Sequence, residues 1–106
     1  MNANLKYLED NILPNHSESE RSGIKKMISD GCVNPIVYVW DNYIVDGILV
    51  FEICKELNLK YDVIHIDFKN IEEAIKWRVE KHLYRRNMNK AQRIQAALKL
   101  KEYYIY

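Results

Sequence analysis

Residues 36–46 read IVYVWDNYIVD, two runs of β-branched and aromatic residues around the polar pair Asp41-Asn42. Such side chains fit a pleated surface, and a two-residue polar break between two such runs closes a β-hairpin. A hairpin alone is marginal in water, so the rest of the chain has to cover one of its faces. Amphipathic segments on either side are suited to that. In SESERSGIKKMISDG, Ser17 and Glu20 stand at capping-box spacing, Ile24, Met27 and Ile28 form one stripe, and Gly31 is placed to end a helix whose start is weakened by Gly23. After Asp46-Gly47, ILVFEICKEL puts Val50, Ile53, Cys54 and Leu57 at helical spacing, with Asn58 as its stop. YDVIHIDF alternates as a strand, with Ile64, Ile66 and Phe68 on one face and Val63, His65 and Asp67 on the other. NIEEAIKWRVEKHL opens on Asn70, with Glu73 in the box position and Ala74, Ile75, Val79 and Leu83 inward. A last helix begins at about Lys90 behind Asn89 and Gln92, carries a narrow stripe of Ala91, Ile94 and Leu98, and runs into Tyr103, Tyr104 and Tyr106.

This order predicts an α+β fold: a small mixed sheet with a β-hairpin, packed by about four helices over residues 18–30, 48–58, 71–83 and 90–104. Residues 1–16, around Pro14, show no period and read as a lead-in to a single domain over 17–106, whose last helix is expected to lead into a further domain. With 106 residues, 48% of them hydrophobic, the chain can bury a core without staples. Cys32 and Cys54 match no zinc or redox spacing and read as two buried small hydrophobes in a reducing compartment. No apolar run approaches the roughly 20 residues that span a bilayer, and the N-terminus lacks the order of a signal peptide. The expectation is a cytoplasmic protein with no membrane contact.

The net charge of +1 conceals a split. Residues 1–70 hold seven Lys/Arg against eleven Asp/Glu, and residues 71–106 hold nine against four. The basic third points to an acidic partner, of which DNA or another nucleic acid is the commonest, with a solvated helical surface as the alternative. Its densest stretch, Arg85, Arg86, Lys90 and Arg93, beside His82 and Tyr84, is the candidate phosphate contact. His65 and Asp67, with His16 far off in sequence, make no metal site, and no Ser-His-Asp, P-loop or HExxH pattern appears.

Four stretches in order, GCVNPIVYVW, YIVDG with FEICKEL, YDVIHIDF, and IEEAIKWRVEKHLYRRNMNKAQR, resemble the ParB/sulfiredoxin-like superfamily over roughly residues 17–98. The similarity is to the short ParB-type N-terminal domains of plasmids, phages and mobile elements. It implies that fold, a DNA-binding role of the plasmid-partition kind, and a loop that cradles nucleotide phosphates at the start of the second helix. Members typically carry Gly-His-x-Arg-Tyr-Glu there and Arg-Arg-Asn-Leu later. The second box stands here as Arg85-Arg86-Asn87-Met88. In the first, Gly47 and Glu52 match, Ile48 and Leu49 replace polar positions, Val50 replaces the arginine and Phe51 the tyrosine. By this resemblance, Asp46, Gly47, Ile48, Leu49, Val50, Phe51 and Glu52 with Arg85, Arg86 and Asn87 are a vestigial nucleotide-binding set. Losing the bidentate arginine removes roughly 1.5–3 kcal/mol of charge-assisted contact.

The resulting expectation is a ParB-like DNA-associated or regulatory domain with reduced or lost nucleotide binding. No cofactor is expected, and CTP, ATP or ADP with Mg would bind only through a cradle that still works. Two alternatives stand beside it. One is a nucleotide-dependent kinase or nuclease of the same superfamily, with Asp46 as base or metal ligand. The other is a protein-interaction module or homodimer that uses Ile48, Leu49 and Phe51, since these cannot all share the helix's inward face with Val50. Sulfiredoxin chemistry is excluded, because its cysteine position is occupied by Ile48 and Cys54 falls on the inward stripe.

Overall fold

A computed structural model describes residues 5–9, 13–85 and 88–101. The fold is α+β. Its elements are β1 (Lys6–Tyr7), α1 (Glu18–Ser29), β2 (Ile36–Trp40), β3 (Tyr43–Asp46), α2 (Ile48–Leu57), β4 (Asp62–His65), α3 (Ile71–Arg85) and α4 (Lys90–Lys101). The four strands form one mixed sheet in the order β1-β3-β2-β4. The chain divides into two compact units, one holding the sheet with α1 and α2 up to Asp67, the other holding Glu9–Asn15 and the chain from Phe68 onward with α3 and α4.

In the first unit the hairpin forms as expected. β2 and β3 pair antiparallel, Trp40 against Tyr43 and Val39 against Ile44, around Asp41, whose φ is 52°. The register then slips so that Tyr38 faces Asp46, which leaves Val45 as an extra residue in β3. Such a bulge bends a strand and breaks its alternation. Ile44, Val45 and Asp46 are in fact buried in succession. β4 runs parallel to β2, Val37 beside Val63 and Tyr38 beside Ile64.

One face of the sheet, made by Val37, Val39, Ile44 and Val63 with Leu5, packs against Ile48, Val50 and Phe51 of α2. The opposite side of α2 gives Leu49, Ile53 and Cys54 to a second cluster with Ile28, and Ile24, Leu57 and Tyr61 close around it. α2 is thus an inner layer between the sheet and α1. A helix buried on two sides reads apolar on two sides, which accounts for its composition.

Local stops and starts follow the sequence closely. Ser17 and Glu20 make a reciprocal capping box at 3.1 and 3.0 Å. α1 ends in a Schellman motif, Cys32 N–H donating to the Met27 carbonyl and Gly31 N–H to that of Ile28. Asn58, at φ 55°, ends α2 with the same pair of bonds, to Cys54 and Lys55. In the second unit Asn70 caps α3 through the Glu73 amide at 2.9 Å, and Asn89 with Gln92 makes a second reciprocal box at the start of α4. Ala74, Ile75, Val79, Ala96 and Leu100 are buried there, Leu83 is half-buried, and Phe68 lies against Trp77 with Lys81 over the indole ring.

Several expectations are corrected. The lead-in contains β1, an edge strand parallel to β3, with Leu8 buried behind it; two residues are too few to show a period. β4 is shorter than 61–68, and of its two faces the one with Val63 is inward, because the parallel register sets Val63 beside Val37 on the face that α2 covers. Met27 is exposed, since α1 turns residues 21, 24, 25 and 28 toward α2. Cys32, just past the α1 cap, is exposed, and only Cys54 is buried. On α4, Ala91, Ile94 and Leu98 face outward and residues 96 and 100 are the buried ones. Tyr103, Tyr104 and Tyr106 lie outside the described residues. No helix among the described residues is long and apolar enough to cross a membrane.

Candidate functional site

The β3–α2 junction turns on Gly47, which holds φ 83° as the N-cap of α2 and offers no side chain to cap it. Its Cα lies so close to β2 that an added Cβ would stand 2.7 Å from the Ile36 carbonyl oxygen. The helix therefore begins directly against the sheet. Its first bond is Phe51 N–H to the Gly47 carbonyl at 2.8 Å, and the first turn holds neither an acid nor any other polar side chain. The amides at such a helix start favour an anion. Here the side chains around them are Ile48, Leu49, Val50 and Phe51, and none carries a charge to hold one.

None of these four is exposed. Leu49 is buried in the cluster with Ile28, and Ile48, Val50 and Phe51 are half-buried against the sheet. Phe51 sits edge-on between the rings of Tyr7, at 6.1 Å, and Tyr61, at 5.6 Å. The apolar patch expected as an interaction surface is therefore covered from within the chain, on one side by α1 and on the other by the sheet and its aromatic neighbours.

Asp46 ends β3 opposite Tyr38 and, at 4% exposed, is the one buried charged residue among the described residues. A base has to come within hydrogen-bond reach of the proton it removes, and this carboxyl stands in the sheet rather than at an open surface. Cys54 is fully buried, and burial pushes its thiol up, away from the thiolate that nucleophilic chemistry needs.

Glu52 matches the glutamate of the resembled box, yet its carboxylate is engaged within the fold. Arg21 approaches it at 3.6 Å, and the Glu52 charge acts on the Tyr7 phenol. Burial first, then Glu52, pushes the Tyr7 phenol up. One turn along α2, Glu56 receives Lys25 at 2.7 Å and Arg21 at 3.3 Å. Lys25 foremost, with Arg21 behind it, holds the Glu56 carboxyl below the usual carboxylate range. This ladder joining β1, α1 and α2 is absent from the sequence-based expectations. The matched i, i+4 spacings of Arg21/Lys25 and Glu52/Glu56 signal part of it, whereas nothing near Tyr7 in the sequence points to Glu52.

The basic set lies at the other end of the chain, around the α3–α4 junction in the second unit. Arg85 is the last residue of α3, and Arg86 and Asn87 lie outside the described residues. Lys90 opens α4 and is exposed. Arg93 ties the two helices together, its guanidinium donating to the Leu83 carbonyl in the last turn of α3 and, at 3.3 Å, to the Met88 carbonyl. Met88, the last residue of the Arg-Arg-Asn-Met stretch, is buried at 6% exposed. The two sequence-derived groups thus belong to different units, Asp46 to Glu52 in one and Arg85 to Arg93 in the other. His65 and Asp67 are both exposed, and among the described residues no group of three His, Cys, Asp or Glu side chains is placed to hold a metal ion.

Comparison with family models, with curated proteins and with solved structures returns no match for this chain.

Proposed function

We propose that the chain is a DNA-associated or regulatory domain of the ParB type whose nucleotide cradle has been converted into core. The observation that carries this reading is the agreement between charge and architecture. The first unit holds six Lys/Arg against nine Asp/Glu, and the second holds ten against six. The basic excess belongs to the unit with the α3–α4 junction, while the junction that would hold phosphates is lined by side chains packed in two apolar clusters. An anion-binding role fits the former and has lost its cation at the latter.

The test has two arms. DNA binding is followed by fluorescence anisotropy with a short labelled duplex across a salt series. Binding that weakens linearly in log salt, and whose slope shrinks when Arg85→Ala is combined with Arg86→Ala, is the expected result. Binding indifferent to salt, or unchanged in the double variant, overturns the DNA assignment. In the second arm CTP, ATP and ADP with Mg are titrated calorimetrically into the chain and into Val50→Arg, which restores the missing guanidinium. No heat from the wild-type chain is expected. Saturable binding to it would show that backbone amides suffice and would return the kinase or nuclease reading to the front.

A further inference from the structure

One side chain holds the α3–α4 connection from both ends. The Leu83 carbonyl is among the last four of α3, which find no partner within the helix. The Arg93 guanidinium supplies one, donating from Nη1 to Leu83 and, at 3.3 Å, from Nε to the Met88 carbonyl. The entry to α4 is fixed around it. Met88 is buried, Asn89 and Gln92 bond reciprocally at 2.8 and 3.1 Å, and the Arg93 amide donates to the Asn89 carbonyl at 3.0 Å. Arg93 is exposed, so exposure alone would make it one more cation in a basic row. Its bonds say otherwise, since they aim the guanidinium at the chain's own backbone. Two acceptors on different residues suit the planar fork of an arginine, whereas a lysine offers a point donor.

We propose that Arg93 is a positioning residue for the phosphate contact and not one of its ligands. It fixes the spacing between Arg85, which ends α3, and Lys90, which opens α4, and these two supply the charge. The inference rests on the DNA reading given above. A contact whose parts are held in place beforehand loses less freedom on binding. Affinity therefore depends on Arg93 although it neutralises no phosphate.

Anisotropy of a short labelled duplex across a salt series separates the two roles. A residue that neutralises a phosphate contributes about 0.9 to the slope of log affinity against log salt, and a residue that only orients others contributes nothing. Arg85→Gln combined with Lys90→Gln should lower the slope by about 2. Arg93→Ala should weaken binding about tenfold at every salt concentration with the slope unchanged. Arg93→Lys, which keeps the charge and loses the fork, should behave like Arg93→Ala. Leu100→Ala is the control for a purely structural effect: it empties a buried position of α4 without touching the connection, and, shown folded by circular dichroism at the assay temperature, it should bind as the wild type does. Three results would overturn the inference and leave the DNA reading standing: a slope lowered by Arg93→Ala, affinity restored by Arg93→Lys, or an equal loss in Leu100→Ala. Absence of salt-dependent binding by the wild-type chain would overturn that reading and the inference with it.

Discussion

A methyl group at position 47 would stand 2.7 Å from the Ile36 carbonyl oxygen and 3.2 Å from the Val37 Cα, on a backbone already at φ 83°. The left-handed conformation costs a β-carbon roughly 1–2 kcal/mol, and a clash against backbone adds roughly 1–3 kcal/mol. Gly47→Ala should therefore lower the urea midpoint by the equivalent of about 2–5 kcal/mol with the slope unchanged. Gly23 is the opposite case: it lies inside α1, and an added Cβ meets nothing within 4 Å. Gly23→Ala should raise the midpoint by about 0.5–1 kcal/mol. Asp46-Gly47 was legible as a turn, but the close approach of β2 was not, since it depends on which strand lies behind the glycine. A third single-residue prediction concerns Glu56. Its carboxyl is held low in the folded chain, so its contribution is present above the ordinary carboxylate range and is lost as pH falls through the depressed value. The stability gap between wild type and Glu56→Gln should close on acidification, and also in high salt at neutral pH, as read by thermal melts.

At the scale of elements, helix boundaries were the most legible part of the sequence, because capping chemistry is local. Ser17 with Glu20, Asn70 with Glu73, and Asn89 with Gln92 each specify a start within four residues. Helix faces were less so. The α2 sequence is apolar on more than one side, and only the layers around it show that Leu49 belongs to α1 and Phe51 to the sheet. α4 failed for the converse reason: Ile94 and Leu98 are large and apolar, yet Ala96 and Leu100 face inward. Three expectations follow. Leu49→His places a polar ring in the cluster of Ile28, Ile53 and Cys54 and should cost about 2–4 kcal/mol in chemical denaturation. Phe51→Tyr keeps the ring between Tyr7 and Tyr61 and should cost well under half as much. Arg93→Ala removes both bonds to the α3–α4 connection and should destabilise by about 1–2 kcal/mol. Hydrogen exchange would show the loss at the end of α3 and start of α4, with α2 amides unaffected.

For the molecule as a whole, the α+β class and the hairpin were readable from periodicity, whereas the sheet's edge and the division into two units were not. β1 is two residues long, and the pairing that defines it is with a strand far along the chain. The units cannot be read from composition either, since Glu9–Asn15 groups with the chain after Phe68 while its neighbours on both sides belong to the sheet unit. Leu8→Ala tests how much this edge contributes. The residue is 1% exposed and its amide bonds to the Ile44 carbonyl at 3.0 Å, so the substitution should cost about 2–4 kcal/mol.

The same edge strand sets an order of events during synthesis. Lys6 and Tyr7 leave the ribosome well ahead of their partners Tyr43 and Ile44, which emerge only after α1 and β2 have been made. Until then the N-terminal segment has no sheet to join, and once β3 pairs with β2 its outer edge stays open until that segment returns. Long-range parallel pairing of this kind forms late and slowly. A growing chain of this protein therefore passes through an interval in which a half-built sheet can recruit a strand from a neighbouring chain, the interval in which a chaperone would matter most.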